Sequence, residues 1–258
     1  MTDLPAGLGP VIGGRESRLV WRNEVGGLTH EVGHGGGRVF VKWTPVGSGV
    51  DLEQERVRLA WARRWLRVPE VLDHGRDADG EWLVSRALAG TNAVSARWLA
   101  DPASAVRAVG SGLRAMHDTL PVEDCDVSWA AEDRVRDARR RSAAGLVRPT
   151  SWHVDHQHLT VTAALDLLAE PPPVDRLVVC HGDARAPNTL VADDGSWGGH
   201  VDLGALGVVD RWADLAVATW STTWNYGPGL DGQLLAAYGI DSDPVRTAYY
   251  RLLWDLGP

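Results

Sequence analysis

Residues 177–204 read LVVCHGDARAPNTLVADDGSWGGHVDLG, and they alternate short apolar runs with polar turns. The run LVVC predicts a buried strand that leads into His181-Gly182-Asp183. Asn188 follows Asp183 by five residues and precedes a second strand, TLV, while Asp202 follows a third short strand, GHV. The pattern therefore predicts three oxygen-bearing side chains at the ends of neighbouring short strands.

These residue types suit phosphoryl transfer from a nucleotide. The reaction needs a carboxylate to orient the attacking hydroxyl and hard oxygen ligands to hold Mg²⁺ on the phosphates. Asp183, Asn188 and Asp202 supply those types in the order that kinases use. Each tripeptide alone is a weak signal, since H-G-D and D-L-G are common in turns. The prediction of a phosphotransferase therefore needs a second group of residues that could bind the nucleotide.

The second cluster is VFVKWTP, residues 39–45, which holds the only lysine of a chain whose 26 basic residues are otherwise arginines. A lysine at a strand edge that merely reaches water could equally be an arginine. A compact ammonium, by contrast, approaches phosphate oxygens as a point charge. Glu55 on the following predicted helix is a candidate partner for Lys42, and the turn at 26–29 could offer backbone amides to the same phosphates. This order predicts the nucleotide lobe of a kinase-type phosphotransferase.

The distribution of strands and helices predicts an α+β fold. The first 90 residues read as Gly-punctuated strands with one helix at 51–66. The remainder is mostly amphipathic helix. We expect a β-rich N-terminal nucleotide-binding lobe at 1–88 and a mainly helical catalytic and substrate-binding lobe at 89–258.

Composition narrows the partners. A formal net charge of −8 disfavours a nucleic acid and suits a cationic ligand. Two cysteines are too few for a disulfide framework, which favours a reducing cytoplasm. The first residues lack the basic and apolar pattern of a signal peptide, and no apolar run is long enough for a membrane span, so we expect neither a signal peptide nor a membrane partner.

Several segments resemble aminoglycoside phosphotransferases over nearly the whole chain. They are CHGDARAPNTLV (180–191), VDLGALGVVDRWADLAVAT (201–219) and the ending YYRLLWDLGP (249–258). FVKW and EQERVRLAW match the strand lysine and the helix glutamate of the family. The nearest resemblance is to enzymes that act on the 3′-hydroxyl of kanamycin- and neomycin-type antibiotics, with streptomycin kinases close behind. It implies a two-lobed, protein-kinase-like fold.

The resemblance also implies roles for the two clusters. Asp183 would be the catalytic base, with Asn188 and Asp202 as Mg²⁺ ligands. Lys42, held by Glu55, would contact the nucleotide phosphates.

Further roles follow from the same resemblance. Thr29 would lie in the phosphate loop, and the backbone of Ser85 to Ala87 would meet the adenine edge. Asp214 resembles a buried acid that braces the catalytic loop. Asp155 and Asp255 match acidic positions that contact the cationic acceptor.

Two differences from the kanamycin-type members of the family bear on the identity of the acceptor. Ala205 stands where kanamycin-type members carry arginine, and Trp220 stands where they carry a basic residue. The segment TWSTTWNYGPG (219–229) is unusually aromatic. Its Trp220, Trp224 and Tyr226 either pack a helix and loop or stack on a ligand, and the sequence leaves both interpretations open.

The sequence thus predicts an ATP-dependent kinase, with GTP as the alternative nucleotide and Mg²⁺ as the metal. We expect it to phosphorylate the 3′-hydroxyl of an aminoglycoside and to confer resistance. A kinase of the same fold for another antibiotic, a nucleoside or a small metabolite is the nearest alternative. An inactive nucleotide-binding module is the alternative from another class. Monomer and homodimer are both compatible with the sequence.

Overall fold

The chain divides into two compact units between Ala89 and Gly90. The computed structural model describes Pro5 and residues 7–257. Residues 1–4, Ala6 and Pro258, which the sequence placed in the two predicted lobes, lie outside the described residues. The division falls one residue after the boundary predicted from the change in secondary structure.

The N-terminal unit is built on a five-stranded antiparallel sheet. Its strand order is β1-β2-β3-β5-β4. The strands are β1 Ser17–Arg22, β2 Leu28–Val32, β3 Val39–Pro45, β4 Val71–Arg76 and β5 Gly80–Arg86, and two helices accompany them, α1 Leu8–Ile12 and α2 Leu52–Ala62.

The side chains of β3 alternate between the two faces of the sheet, with apolar residues on one face and Lys42 on the other. Val39 and Val41 are buried and pack in a cluster with residues of α1, β2 and β5. Because successive side chains of a strand point to opposite faces, Lys42 projects from the other face of the sheet. Thr29 on β2 and Leu83 on β5 are its neighbours in register.

Helix α2 begins where the sequence provides a cap. The Asp51 side chain accepts a hydrogen bond from the Gln54 amide at 2.9 Å, as an N-cap residue should. The helix ends at Ala62, four residues before the predicted end at Leu66. Its first turn carries Glu55, which is buried.

The C-terminal unit is mainly helical. Its helices are α3 Ala96–Leu99, α4 Pro102–Thr119, α5 Ala131–Ala143, α6 Val161–Leu167, α7 Trp212–Tyr226, α8 Asp231–Tyr238 and α9 Pro244–Asp255. Two small antiparallel sheets complete it: β10 Gly207–Asp210 pairs with β7 Leu177–Cys180, and β8 Thr189–Val191 lies between β6 Thr91–Asn92 and β9 Trp197–His200.

The core of this unit is formed by the central helices and β7. Leu113 of α4, Val178 of β7 and Leu215 of α7 are fully buried within one apolar cluster. Across Pro5 and residues 7–257, helices long and apolar enough to cross a bilayer are absent. The α+β prediction is confirmed.

Helices α4 and α8 approach closely at a glycine. A Cβ atom added to Gly110 would overlap the Leu234 carbonyl oxygen and the Ala237 side chain of α8. Gly232, also in α8, has no atom within 4 Å of the corresponding position. The two glycines therefore differ in packing rather than in secondary structure.

We predict that Gly110→Ala destabilises the protein by about 1–3 kcal/mol through overpacking. Gly232→Ala is the matched control, and it should be neutral or gain up to about 1 kcal/mol from helix propensity. Urea unfolding followed by circular dichroism measures both. Equal stabilities of the two variants would contradict the close approach of α4 and α8.

Candidate active site

A tight turn after β7 forms the segment we call the catalytic loop, residues 181–188. Gly182 has a φ of +80°, and a Cβ atom there would collide with the Ala205 carbonyl group. The Arg185 amide donates to the Asp183 carbonyl oxygen at 2.8 Å, and the Asn188 amide donates to the Arg185 carbonyl oxygen at 2.9 Å. The loop therefore folds back on itself and brings the side chains of these three residues together.

A buried carboxylate on α7 anchors this loop. The amides of His181 and Gly182 donate to the two oxygens of Asp214 at 2.6 and 3.0 Å. His117 of α4 bonds to Asp214 through Nε2 at 3.0 Å and to the Tyr238 hydroxyl through Nδ1 at 2.9 Å. The bracing contact expected for Asp214 is present, whereas His117 and Tyr238 were not predicted.

The charge state of Asp214 follows from these contacts. Burial alone would raise the pKa of its carboxyl group, but the hydrogen bond and charge of His117, together with the His181 amide, outweigh burial and lower the pKa. A buried anion with several donors is the arrangement in which a carboxylate stays ionised. Asp214 thus holds the catalytic loop as an anion.

Asp183 and Asn188 are in direct contact. The Asn188 side-chain nitrogen donates to the Asp183 carbonyl oxygen at 2.9 Å and to the carboxylate Oδ2 at 3.0 Å. Since the nitrogen of this amide faces Asp183, its oxygen lies on the other side of the amide group. That oxygen is the atom a hard cation would bind.

Asp202 lies beside this pair and has an unusual backbone. Its φ of +65° is the one left-handed value among non-glycine residues in the described part of the chain. The preceding Val201 is held on both sides, because its amide donates to the Asn188 carbonyl oxygen at 3.0 Å and its carbonyl oxygen bonds to His181 Nε2 at 2.9 Å. The structure therefore brings Asp183, Asn188 and Asp202 into one cluster within the C-terminal unit.

The donor set fits Mg²⁺. The Asp202 carboxylate and the Asn188 amide oxygen are hard oxygen ligands of the kind that Mg²⁺ prefers, and neither is a soft sulfur or imidazole ligand. A left-handed conformation at an aspartate costs of order 1 kcal/mol or more and is typical of functional sites. The residues present are therefore suited to this metal.

Arg185 also belongs to the cluster, although it was not predicted from the sequence. Its Nε donates to Asp183 Oδ1 at 2.6 Å and its Nη2 donates to Asp183 Oδ2 at 2.7 Å. These hydrogen bonds raise the pKa of Arg185, and the charge of Asp202 adds to the rise. The available signal was the arginine two residues after the predicted base.

In the N-terminal unit, Lys42 and Glu55 form the ion pair expected from the sequence. Lys42 Nζ lies 2.6 Å from Glu55 Oε1, with the lysine side chain 24% exposed and the glutamate buried. An ion pair of this kind fixes the position of the ammonium group. Its role toward nucleotide phosphates stays a prediction.

The turn between β1 and β2 ends earlier in the sequence than expected. It connects β1 to β2 around Gly26, whose φ is +86°, and the amides of Val25 and Gly27 donate to the Asn23 side-chain oxygen at 3.2 and 2.5 Å. Thr29 lies in β2 opposite Lys42 and not in the loop itself. The predicted turn thus ends at Gly27, because strand pairing begins at Leu28, and a contact between Thr29 and nucleotide phosphates stays a prediction.

Ser85 lies near the end of β5, and Ala87 follows directly after the strand. This strand pairs on both edges, with β3 and β4, and Ser85 is aligned with Phe40 and Val71. The Ala87 amide donates to the Arg38 carbonyl oxygen at 3.1 Å. Contact of this segment with an adenine edge stays a prediction, and the Ala87 amide would have to exchange partners to make it.

The two predicted acceptor residues meet at His153. The His153 amide donates to Asp255 Oδ2 at 3.1 Å, and its ring Nδ1 lies 3.2 Å from Asp155 Oδ2. They differ in environment, because the Asp155 side chain is 61% exposed whereas Asp255 is largely buried and bonds to His156 Nδ1 at 2.6 Å. Asp155 therefore presents a carboxylate to solvent, while Asp255 already has a partner.

In the aromatic segment 219–229, some side chains pack within the protein and one is exposed, so packing and ligand contact apply to different residues. Trp220 is buried against His153, with ring centroids 4.3 Å apart, and the Tyr226 hydroxyl donates to the Ala93 carbonyl oxygen at 2.8 Å. Trp224 packs against Trp220 with the rings tilted and their centroids 5.3 Å apart, and it is 42% exposed. Packing explains Trp220 and Tyr226, and the exposed face of Trp224 is open to a ligand.

We predict that Asp214→Asn lowers the free energy of unfolding by about 2–4 kcal/mol at neutral pH, because an amide nitrogen then faces backbone donors. The lowered pKa of Asp214 fixes the sign of the pH dependence. Its stabilisation is present above the unfolded pKa of about 3.9 and is lost as the pH falls below that value.

Chemical unfolding of the wild type and of Asp214→Asn between neutral pH and pH of about 3 measures the difference between their free energies of unfolding. This difference should decrease as the pH falls. Asp166→Asn, at an exposed position of α6, is the matched control and should change stability by less than about 0.5 kcal/mol. A difference between wild type and Asp214→Asn that increases in acid would contradict an ionised Asp214.

Comparisons with known proteins agree with this arrangement. The structure resembles the aminoglycoside phosphotransferase APH(3″)-Id from Streptomyces rimosus, with a TM-score of 0.80 and 26% identity over 99% of both chains. It also resembles an aminoglycoside-3′-phosphotransferase of type VIII, with a TM-score of 0.81 and 30% identity over 94% of both chains. The Streptomyces rimosus protein has also been solved in complex with ADP and streptomycin.

Sequence comparisons agree with the structural ones. The aminoglycoside 3′-phosphotransferase of Streptomyces fradiae is 36% identical over 220 residues, which span 81% of each chain. The streptomycin 3″-kinase of Streptomyces griseus is 32% identical over 227 residues, 82% of each chain. Residues 14–250 match the model of the phosphotransferase enzyme family. The chain therefore belongs to the phosphotransferase enzyme family, and the resemblance to aminoglycoside phosphotransferases carried by its motifs is confirmed.

Proposed function

We propose that this enzyme uses ATP to phosphorylate a hydroxyl group of an aminoglycoside, which inactivates the antibiotic and confers resistance. The observation that carries the proposal is the cluster of Asp183, Asn188 and Asp202 around one loop of a phosphotransferase-family chain. We assign residues 1–88 to nucleotide binding and residues 89–258 to catalysis and acceptor binding.

In the N-terminal unit, the proposed task is to hold the nucleotide. Lys42 supplies a fixed ammonium for phosphate oxygens, and Glu55 keeps it in place. The backbone of Ser85 to Ala87 provides amide and carbonyl groups for a purine edge. ATP is the proposed phosphate donor. GTP is the alternative, because backbone groups alone do not discriminate strongly between adenine and guanine.

In the C-terminal unit, the proposed task is to orient the acceptor hydroxyl. The hydroxyl oxygen attacks the γ-phosphorus, a new O–P bond forms, the bond to the leaving nucleoside diphosphate breaks, and the proton passes to the Asp183 carboxylate. Asn188 and Asp202 would hold Mg²⁺, which when bound neutralises charge on the phosphates. Positioning and electrostatic stabilisation therefore account for most of the catalysis.

A cationic acceptor is supported by the charges of the chain. Its net charge is −8, and the exposed Asp155 carboxylate is available to an ammonium group. Asp255 would act on the acceptor indirectly, by holding His153 and His156 in place, unless the acceptor displaces these two partners and binds Asp255 itself. We propose the cytoplasm, where ATP is available, as the site of action.

The 3′-hydroxyl is the proposed position of transfer. It is supported by three relatives that are named aminoglycoside 3′-phosphotransferases and are 33–36% identical to this chain. The streptomycin 3″-kinase is nearly as similar, at 32%. Ala205, which replaces the arginine typical of kanamycin-type members, makes the position an experimental question.

Release of ADP in a coupled assay tests the proposal. The purified protein should turn over kanamycin or neomycin with ATP and Mg²⁺, and phosphorus NMR of the product should place the phosphate on the 3′-oxygen. Turnover of streptomycin alone would move the assignment to another hydroxyl. Turnover of only a nucleoside or a small metabolite such as choline would replace the substrate, and turnover of none would favour a binding module.

Asp183→Asn should lower kcat by about 10²–10⁴-fold, because it removes the group that orients the hydroxyl and accepts its proton. The amide is isosteric, so the variant should remain folded with a similar melting temperature. The ADP-release assay measures kcat, and a thermal melt serves as the control. Retention of wild-type kcat would contradict the assigned base.

Asp155→Asn should raise KM for a polycationic acceptor by about 2–5-fold with little change in kcat, since exposed ion pairs contribute up to about 1 kcal/mol. The effect should shrink as salt is added. Asp166→Asn removes one negative charge from an exposed helix position elsewhere and controls for the change in net charge. A matching rise in KM for both variants would point to net charge instead of a local contact.

A further inference from the structure

The guanidinium group of Arg185 occupies both oxygens of the proposed base. Nε and Nη2 lie 2.6 and 2.7 Å from Asp183 Oδ1 and Oδ2, which is the paired fork geometry that only arginine provides. Two parallel hydrogen bonds fix the plane of the carboxylate as well as its position. A single contact from a lysine would fix only the position.

The local backbone creates this pairing. The amide of Arg185 donates to the carbonyl oxygen of Asp183, so the chain turns back within two residues and aligns the two side chains. A short 3₁₀ turn, Ala186–Asn188, begins directly afterwards and returns Asn188 to the same carboxylate. The base therefore has one arginine and one asparagine as fixed neighbours.

Stability alone does not account for the pair. The Arg185 side chain is 37% exposed, and an ion pair at such a site contributes about 0–1 kcal/mol to folding. The same pair lies where the hydroxyl must be oriented, and the charge of Asp202 also acts on Arg185. Its contribution is therefore expected in the reaction and not in folding.

The hydrogen bonds on Asp183 leave limited room for an acceptor. Oδ1 accepts from Arg185, and Oδ2 accepts from both Arg185 and Asn188. A carboxylate offers about four acceptor positions, so about one remains for a substrate hydroxyl. A base held in this way can receive its hydroxyl from one direction.

We propose that Arg185 is a positioning residue for phosphoryl transfer, which fixes the Asp183 carboxylate so that its remaining lone pair meets the acceptor hydroxyl. This inference rests on the proposed function. It assigns Arg185 no contact with the nucleotide. Arg185 Nη1 donates to none of the described residues, so a contact with a phosphate has to be tested separately.

The test compares Arg185→Met and Arg185→Lys with the wild-type enzyme. Arg185→Met should lower kcat by about 10²-fold, because misplacement of a catalytic group by about 1 Å has an effect of that size. KM for the acceptor should change by less than about 3-fold, since ground-state contacts are intact. Arg185→Lys should recover only part of kcat, because it keeps the charge and loses the fork.

Two controls separate positioning from folding and from nucleotide binding. Arg140→Met removes an arginine from an exposed ion pair with Asp137 on α5 and should leave kcat unchanged. Thermal melts of all variants should agree within a few degrees. Calorimetric titration of ADP should give affinities for Arg185→Met and wild type that agree within about 2-fold.

Each outcome decides between the claims. A kcat for Arg185→Met within about 3-fold of wild type would overturn the positioning role while leaving the proposed function intact. A loss of ADP affinity of about 10-fold or more would instead assign Arg185 to the nucleotide and would also overturn it. Absence of turnover by the wild-type enzyme on every aminoglycoside would overturn the proposed function, and the inference with it.

Discussion

The buried Asp214 carboxylate is the contact on which the candidate site depends. It accepts the two successive amides that open the catalytic loop and pairs with His117 on another helix. A buried anion is tolerated only when several donors surround it, so the helices, β7 and the loop are held in one arrangement. The positions of Asp183 and Asn188 follow from it, because both lie within this loop.

A second theme is that the charged side chains assigned to function already have partners inside the protein. Lys42 pairs with Glu55, Asp183 with Arg185, and Asp255 with His156. Each group is thereby oriented before any ligand arrives. A ligand would then exchange one polar partner for another, which costs less than leaving a polar group without a partner in a partly buried site.

The sequence predicted those parts of the site that depend on local patterns. The strands LVVC and TLV have the predicted limits, and the spacing of Lys42 and Glu55 led to the correct ion pair. Both results follow from short-range rules, namely the runs of apolar residues in buried strands and the first turn of a capped helix.

Features that depend on tertiary contacts were missed. The interaction of His117 with Asp214 joins residues 97 positions apart, and nothing near His117 in the sequence marks it. The sequence placed residues 26–29 in a turn, whereas β2 begins at Leu28, because the exact start of strand pairing is set by the register with β3. Arg185 was overlooked because its importance comes from a backbone turn that a linear motif does not display.

The single lysine has a practical consequence. Reagents that acylate primary amines find one side-chain amine in the whole sequence, at position 42. That amine is partly accessible and is held against the Glu55 carboxylate at 2.6 Å, so a reagent reaches it more readily when the pair opens. The extent of amine labelling would therefore report how often the Lys42–Glu55 pair separates, without the background that other lysines contribute in most enzymes.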